Sequence, residues 1–489
     1  MLDDAALADI AARYREVLGG GDLCELDLTP YDRTGIPTVA TVWGQGRGTV
    51  HGTGFGATPA AATVGALGEL SEAVLVNPVV EALPRQRASY AGLRRERGER
   101  GVVDPVTLVL EAGSDYSENR PLDWVSLTRW RTGEEVLVPV EFVGSEAHTL
   151  PADPPPGGWL TTAITNGLGA GDSLERAVGH ALLEMVQRDG DTVSYRALDT
   201  GVVIDLSTSG DPMITATVGG YRAVGIEPMV KLASTELATV VYCVGRDEKP
   251  DTPPLAVTAI GEAADVDRDG AILKALLEYG SSRVRKIFGF GPLEAVERRD
   301  PEYLRRELAE PLLAQEPRAL AAMTDWARRD ATDLSALVGP TLYRHTSTVA
   351  APDLPTAAKP ADPTALLTVL LDRLADFDVL VLPAGREDGM RAAKVIAPGL
   401  EVETMSYLRI GERVLRRLLD RGSDLVGLGP ADGADRLGIH LTAAATERIG
   451  GPAWIDRGAV ARTVGPLYPL YREPDRFAWQ RLARGEVAR

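Results

Sequence analysis

The sequence predicts a mixed α/β (α+β) fold, in which helices and strands form mixed sheets without a regular strand–helix alternation. The chain has 489 residues, of which 44% are hydrophobic and 25% charged, and these are ordinary values for a globular protein. Segments of helical and of strand periodicity follow one another in irregular order. At this length we expect a large composite domain or two to three domains.

Apolar residues at helical spacing predict helices at about residues 4–18, 59–76, 173–189, 270–287 and 441–447. Alternating apolar residues predict strands at residues 23–28, 38–43, 202–206, 240–244, 255–260 and 379–382. Thr58 is expected to cap the second helix, with Pro59 in its first position. Asp172 and Glu175 have capping-box spacing at the start of the third helix. Glycine-rich segments at 44–56 and 166–171 are expected to be loops before these two helices, and no internal repeat is evident.

Charge and composition exclude several classes of protein. The net charge of −18 is unsuited to nucleic-acid binding, which needs clustered Lys and Arg. Cys24 and Cys243 lie far apart without a Cys/His cluster, so no zinc site is expected. The N-terminus lacks a signal-peptide pattern, and no apolar run approaches the roughly 18–20 residues that span a bilayer. We therefore expect a cytoplasmic protein without nucleic-acid or membrane partners.

Glu69 and Glu72 are the first residues that suggest chemistry. A spacing of three places both carboxylates on one face of a helix that otherwise consists of Ala, Val, Leu and Gly. Two carboxylates on a buried helix repel each other unless a cation joins them, and Mg²⁺ with oxygen ligands suits that role. A solvated helix edge is the alternative that this pair by itself leaves open.

Glu184 and Gln187 repeat this spacing on a second apolar helix, with Arg188 beside them. The segment 166–171 before this helix can bring backbone N–H groups and the Asn166 side chain to a phosphate at the helix N-terminus. A salt-bridge cluster at a helix end is the alternative. Arg283, at the end of a third helix, is either a phosphate contact or a surface arginine.

Other common signatures are missing from the sequence. It contains no GxxxxGK[ST] segment, no GxGxxG fingerprint after a strand and no GxSxG nucleophile elbow.

Taken together, the ordered segments resemble the YcaO family. Its typical pattern is a G-K-G-x-T loop, a helix with E-x-x-E-R, an S/T-N-G-x-A-x-G loop, a helix with E-x-x-E/Q-R and a third helix that ends in S-R. The corresponding segments here are residues 54–58, 69–72, 165–171, 184–188 and 278–283, with further landmarks at 32–37 and 394–401. The resemblance covers about residues 30–415. It implies three segments: 1–45, an N-terminal helix and strand; 46–415, the family core; and 416–489, a C-terminal extension.

The resemblance implies a YcaO fold with mixed sheets and helices around an ATP–Mg²⁺ site, and an enzyme that phosphorylates a peptide backbone amide oxygen. Attack by a Cys, Ser or Thr side chain then yields an azoline by cyclodehydration, which is the leading expectation. Sulfide would give a thioamide and an amine an amidine. The implied substrate is a ribosomally made precursor peptide. A leader-binding or sulfur-delivery partner protein and a homodimer are also expected.

Site roles carry over residue by residue. The catalytic residues are expected to be Glu69, Glu184 and Arg188. The metal ligands are expected to be Glu69, Glu72, Glu184 and Gln187. The nucleotide contacts are expected to be Gly54, Gly56, Asn166, Gln187, Arg188 and Arg283.

Three features depart from the family pattern. Phe55 stands where the loop lysine is usual, and Ala73 stands where an arginine follows the first E-x-x-E. A proline-rich segment at 466–469 lies ahead of the chain end, where many azoline-forming members have a P-x-P-x-P tail. These departures motivate a second hypothesis, a degenerate member that serves as a scaffold or partner-binding subunit.

Overall fold

A computed structural model describes residues 3–19, 22–44, 49–151, 153–155, 157–192, 196–247, 249, 251–310, 312–402 and 407–486. The helices are α1 Asp4–Leu18, α2 Pro59–Ala82, α3 Tyr90–Arg97, α4 Val140–Val143, α5 Leu174–Asp191, α6 Pro212–Ala223, α7 Arg268–Phe290, α8 Leu293–Arg299, α9 Pro301–Glu307, α10 Pro317–Arg328, α11 Ala331–Leu342, α12 Pro363–Arg373, α13 Glu412–Asp420, α14 Ala443–Ile449, α15 Arg457–Val464 and α16 Ala478–Ala483. The strands are β1 Leu23–Asp27, β2 Thr38–Trp43, β3 Val50–Phe55, β4 Gln86–Ser89, β5 Pro121–Arg129, β6 Glu135–Pro139, β7 Leu168–Gly171, β8 Val202–Asp205, β9 Ile226–Ser234, β10 Thr239–Asp247, β11 Gly261–Asp265, β12 Ser347–Ala350, β13 Leu380–Gly385, β14 Arg391–Ile396, β15 Val426–Leu428, β16 Arg436–Gly438 and β17 Ala453–Asp456.

The chain forms two compact units. The first comprises Met1–Ser71, Ser194–Lys359 and Pro466–Arg489, and the second comprises Glu72–Val193 and Pro360–Gly465. Residues 416–489, expected as one C-terminal extension, are thus divided between the two units.

The first unit contains two sheets. One has the strand order β1-β2-β3 and is antiparallel, and the other has the order β11-β10-β9-β8-β12. In the second of these sheets, β8 and β12 are parallel, and the other neighbouring strands are antiparallel. Helices α6 and α7 bury apolar side chains such as Ile214, Val218, Ile272 and Leu276 against this larger sheet. Burial on this scale is the main source of stability in such a layer.

The second unit contains a larger antiparallel sheet in the order β4-β5-β13-β14-β7, with β6 added on β5. Its core combines apolar residues of β5, β6, β13 and β14 with Val76 and Val80 of the second half of α2. A small sheet in the order β15-β17-β16 completes the unit. The predicted mixed α/β class is therefore confirmed.

Parts of the two glycine-rich segments form strands where the sequence predicts loops, and residues 45–48 of the first segment lie outside the described residues. Residues 50–55 form β3 and residues 168–171 form β7. A Cβ atom on Gly54 would lie closer than 3.0 Å to backbone atoms of Ala62 and Ala66, and one on Gly169 would do so with Ala177 and Ala181. The glycines therefore allow each strand to touch the backbone of the helix that follows it. Close packing, and not loop flexibility, explains this composition.

These strand–helix pairs share the same spacing between a strand glycine and the helix residues that it contacts. The sequence shows no repeat that would reveal this spacing. Gly54 and Gly169 meet their helices at residues eight and twelve positions further along. Gly52 on β3 and Gly261 on β11 meet α2 and α7 fourteen and eighteen positions further along. Three strand–helix pairs, β3–α2, β7–α5 and β11–α7, thus have related close packing, although their side chains differ.

Two local predictions are wrong. Residues 255–260 were expected as a strand, but Pro254–Thr258 is a buried 3₁₀-helix and the strand begins at Gly261. A short apolar run carries no periodicity that separates these two outcomes. The cap of α5 is Ser173, whose side chain accepts from Arg176 N at 3.2 Å, whereas Asp172 pairs with the Arg176 side chain at 2.7 Å. The expected Thr58 cap is confirmed by the bond from Ala61 N at 3.2 Å.

Helix α2 also differs from expectation in its hydropathy. In the described part of the chain it is the one helix, at 24 residues, that is long and apolar enough to cross a membrane. It nevertheless carries Glu69, Glu72 and Glu81, has Pro78 in its interior and packs through Ala62 and Ala66 onto β3. Length and composition alone do not separate a spanning helix from a core helix, and these contacts are those of a core helix.

Candidate functional site

The segment before β7 is tied directly to helix α5. Gly167 has a left-handed φ of 80°, and its N–H donates to Glu184 Oε2 at 3.3 Å. Val395 N donates to Gly167 O at 2.7 Å, and Asn166 Nδ2 donates to Val402 O at 2.9 Å. A Cβ on residue 167 would overlap Val395 O, so both the φ angle and the space require glycine. The predicted residues Asn166 and Glu184 are thus brought together at this segment.

Lys394 anchors the same segment from β14. Its side chain is only 1% exposed, and Nζ donates to Ile164 O at 2.9 Å and to Asn166 O at 2.8 Å. Sequence reasoning placed residues 394–401 among the landmarks but gave Lys394 no role. The signal that could have found it is a lysine inside an otherwise apolar strand, since buried lysines need a specific partner.

The expected ligands on α5 and on the second half of α2 lie on facing surfaces. Arg188 Nη2 is 3.6 Å from Glu184 Oε1, and Gln187 is buried. Glu72 Oε1 is 3.9 Å from His180 Nε2, one helical turn before Glu184. His180 on α5 is thus the residue that meets Glu72. Residues one turn apart share a helix face, so Glu72 lies on the same side of α5 as Glu184.

Buried ion pairs fix the end of α5, directly after Gln187 and Arg188. Asp189 accepts from Arg413 at 2.9 and 2.8 Å and from Arg417 at 2.9 Å. Burial works to raise the pKa of Asp189, but the two arginines hold it below its ordinary value. Sequence reasoning missed this network, whose members come from distant segments.

Glu401 joins that network through its backbone N–H, which donates to Asp189 Oδ1 at 3.0 Å. Its own carboxylate accepts from Gly411 N, Arg413 N and Val414 N at the start of α13. Burial raises the pKa of Glu401 to about 7 despite these hydrogen bonds. The carboxylate therefore acts as the cap of α13.

In the first unit, Glu69 makes the contact that corresponds to that of Glu184. Its Oε2 accepts from Thr53 N on β3 at 2.5 Å. A helical glutamate thus accepts from a backbone N–H of β3 in the first unit and from the N–H of the residue just before β7 in the second. Gly54 and Gly56, which were expected to contact the nucleotide, pack against α2, and their nucleotide role stays a prediction.

Arg283 is fully buried and bound to two carboxylates of the first unit. Nε lies 2.8 Å from Asp32 Oδ2, and Nη2 lies 2.8 Å from Asp247 Oδ2. Burial opposes its charge, but Tyr279, Asp32 and Asp247 raise the pKa of Arg283. A surface position for Arg283, which the sequence left open as the alternative, is therefore wrong. The expected phosphate contact stays a prediction.

The donor chemistry of the predicted metal ligands fits Mg²⁺. The side chains of Glu72 and Glu184 are 14% and 26% exposed, so their oxygens reach solvent, and Mg²⁺ typically keeps several water ligands. Among the described residues, however, no group of three or more His, Cys, Asp or Glu side chains is arranged to hold a metal ion. The oxygen donors of these residues are therefore of the type that Mg²⁺ prefers, and the phosphates of a nucleotide would supply further oxygen ligands.

A mixed α/β fold with helical carboxylates bound to glycine-rich strands defines the class of protein as one that can hold an anionic ligand through a metal ion. The chain belongs to the YcaO family. The sequence model of this family, described as YcaO cyclodehydratase, ATP- and Mg2+-binding, matches residues 53–401. ATP and Mg²⁺ are thus its cofactors, and it is an ATP-dependent enzyme of YcaO type.

Known proteins are similar to this chain in sequence or in fold. An uncharacterized protein of Methanothermobacter thermautotrophicus is 26% identical over 320 residues, which are 64% of this chain and 73% of that protein. The structure of YcaO from Methanopyrus kandleri bound with AMPPCP and Mg2+ is similar, with a TM-score of 0.54, 20% identity and coverage of 82% of this chain and 92% of that one. A heterocyclase in complex with substrate and cofactor is similar over 81% of this chain and 52% of that chain, with a TM-score of 0.58 and 18% identity. This chain thus spans about half of the heterocyclase, and at these identities the structural likeness concerns the fold.

Proposed function

We propose that this enzyme uses ATP to phosphorylate a backbone amide oxygen of a ribosomally made peptide and thereby forms a thiazoline or oxazoline ring. The observation that carries the proposal is a contact of the same kind in both units, a helical glutamate that accepts from a backbone N–H in or next to a glycine-rich strand: Glu184 from Gly167 N, just before β7, and Glu69 from Thr53 N on β3. Each contact places a carboxylate oxygen and a backbone donor side by side. That pairing suits a metal ion and the phosphate bound to it.

The reaction balances as a dehydration coupled to ATP hydrolysis. The amide oxygen takes the γ-phosphoryl group and ADP leaves. The Cys, Ser or Thr side chain adds to the amide carbon and loses its proton. The C–O bond then breaks, the amide nitrogen releases its proton as the C=N bond forms, and the former amide oxygen departs within inorganic phosphate. The peptide thus loses one water, whose atoms end in the phosphate and the released protons.

Residues of this chain have two tasks in this scheme. The oxygens of Glu72, Glu184 and Gln187, with Glu69 one turn earlier on α2, are the proposed Mg²⁺ ligands. Bound Mg²⁺ would supply positive charge to the transferring phosphoryl group. Arg188, which now pairs with Glu184, is the proposed phosphate contact, since a guanidinium matches phosphate geometry.

Calorimetry of ATP binding in the presence of Mg²⁺ tests the proposal. Glu184→Gln should weaken or abolish binding, whereas Glu175→Gln, in the first turn of the same helix, should leave it unchanged. If the wild-type protein binds no ATP, the proposed enzymatic function is wrong. It would favour the scaffold or partner-binding subunit that Phe55 and Ala73 suggest.

Mass spectrometry of candidate precursor peptides separates the possible products. An azoline or a cyclic amidine loses one water, and a thioamide exchanges oxygen for sulfur. The proposal also includes a leader-binding or sulfur-delivery partner, which copurification can test. It further includes a homodimer, which light scattering can test, and a cytoplasmic location, which cell fractionation can test.

A further inference from the structure

The first unit contains a cavity of about 560 Å³ that is lined by the end of α7, by α10 and by the C-terminal helix α16. Apolar side chains form most of its wall, among them Leu255, Ile287, Phe290, Leu293 and Trp479. Among the described residues that line it, none is a predicted metal ligand or nucleotide contact. Cavities of this size with mostly apolar walls are typical ligand sites, so the first unit offers a second candidate binding site.

Hydrogen bonds fix the wall that α16 contributes. The last carbonyl groups of a helix have no partner within that helix. At the end of α7, Trp479 Nε1 donates to Phe290 O at 3.3 Å, and Gln480 Nε2 donates to Gly291 O at 2.7 Å. With its indole N–H paired, Trp479 stays partly exposed and lines the cavity with an apolar ring. The wall is therefore preformed, and it lies outside residues 53–401, which match the family.

Two basic side chains line the cavity, and each is paired within the chain. Lys286, whose side chain is 6% exposed, pairs with Glu473, and Arg484 pairs with Glu294. An anionic ligand would compete with these carboxylates, and a cationic ligand would compete with the basic residues. A charge that loses its partner in a largely buried place is costly. A neutral apolar ligand leaves both pairs intact, so the walls favour it over a charged one.

Exposed charges lie around this apolar interior. Glu294, Arg484 and Glu473 are between 44% and 58% exposed, so they remain in contact with solvent. A peptide with apolar side chains matches that division, because its side chains can enter the cavity while its polar backbone stays among the exposed charges. We propose that the cavity docks neutral aliphatic or aromatic side chains of the peptide that this enzyme modifies, at a segment other than the reacting residue.

This inference rests on the proposed function for the identity of the peptide. A peptide that is held at two places binds the second place intramolecularly, which raises the effective concentration of the reacting segment at the ATP site. The cavity thereby selects for apolar residues in a part of the peptide that the reaction leaves unchanged.

Fluorescence of N-phenylnaphthylamine, a neutral apolar dye, measures occupancy of the cavity in protein without nucleotide. The capped peptide N-acetyl-Leu-Leu-amide should displace the dye, and its serine counterpart should do so about tenfold more weakly or worse. Ala327→Trp fills the cavity from α10, and Ala483→Trp fills it from an exposed position on α16. Both should weaken dye binding by about tenfold. Ala321→Trp, on an exposed part of α10 outside the cavity, should match the wild type.

Laurate, an apolar chain that ends in a carboxylate, tests the charge argument. It should compete with the dye less well than the capped leucine peptide in the wild type. Glu473→Gln removes the partner of Lys286, so it should strengthen laurate binding and leave peptide binding unchanged. Laurate that outcompetes the peptide in the wild type would assign the cavity to an acyl chain and overturn the inference.

Other results would also overturn it. These are a wild type that binds no dye, equal displacement by the leucine and serine peptides, and unchanged dye binding in both cavity-filling variants. Dye binding that appears only when an oligomer is diluted would assign the cavity to a second copy of the chain. If the wild type binds no ATP but the dye and peptide results hold, the proposed function fails and the docking site stands. If ATP binds and the dye results fail, the docking site is wrong and the proposed function stands.

Discussion

The backbone N–H of Gly167 donates to the carboxylate of Glu184, with 3.3 Å between nitrogen and oxygen. Thr53 and Glu69 form the same contact in the other unit. In each case the glycine strand lies directly against the helix, so that a side chain from the helix can reach the strand backbone. The close packing therefore positions the carboxylates, and its disruption should affect stability and nucleotide binding together.

Gly169→Ala tests this packing. The added Cβ would overlap backbone atoms of Ala177, which cannot move aside as a flexible side chain can. We expect a loss of about 1–3 kcal/mol in the free energy of unfolding, measured by urea denaturation. The matched control is Gly179→Ala on α5, where the nearest atom would be at an ordinary 3.8 Å. The control should be neutral or stabilising because alanine favours helix, and equal losses in both variants would contradict the packing argument.

Lys394→Met tests the anchor of the segment before Gly167. The substitution keeps most of the volume but leaves Ile164 O and Asn166 O without this donor in a buried place. Each unpaired buried carbonyl typically costs about 1–3 kcal/mol, so unfolding should become easier by that order. ATP affinity should fall as well, because Asn166 would lose its fixed position. Lys359→Met, on an exposed lysine, is the control, and similar effects in both variants would refute the role of Lys394.

Local patterns predicted much of the fold. The bounds of α1 and β2 agree with the predicted ranges, and α2, α5 and α7 are present with longer ends. These elements have strong periodicity, and periodicity is visible in a single segment. The glycine strands were misread because their glycines serve contacts with a later helix, which the local sequence does not display.

The site was predictable in part, for a similar reason. Helical spacing picked out Glu72, Glu184, Gln187 and Arg188, but their partners are set by tertiary contacts. Lys394 lies 228 residues from Asn166. Contacts over such separations depend on sheet order and register, which short-range patterns do not determine.

Two buried glutamates predict an unusual pH dependence. Burial raises the pKa of both Glu141 and Glu401 to about 7, from an ordinary value of 4.5. The folded state then holds their protons at pH values where the unfolded chain has released them. Their stabilising effect is complete below pH 4.5 and is lost as pH rises towards 7. The free energy of unfolding should therefore decline between these values.

The slope of that decline identifies the groups. Glu141→Gln and Glu401→Gln should each make the decline shallower, since each abolishes one titration, and the double variant should make it shallower than either single variant. Denaturant unfolding at several pH values provides the measurement. An unchanged slope in both single variants would show that other groups carry the dependence.

The pair Asp189 and Arg413 allows the most stringent test of how the end of α5 is held. Asp189→Asn leaves Arg413 and Arg417, whose side chains are 18% exposed, without the buried carboxylate that is their counter-charge, and breaking such a pair costs up to about 3–5 kcal/mol. ATP affinity should fall too, because Gln187 and Arg188 directly precede the anchored residue. Arg413→Met removes a charge on the other side of the pair. The double variant should lose less stability than the sum of the two single variants. The reason is that removing both residues leaves neither charge of this pair without its partner. Strictly additive losses would mean that the two residues act separately, and the helix end would then be held by the apolar packing of α5 rather than by this ion pair.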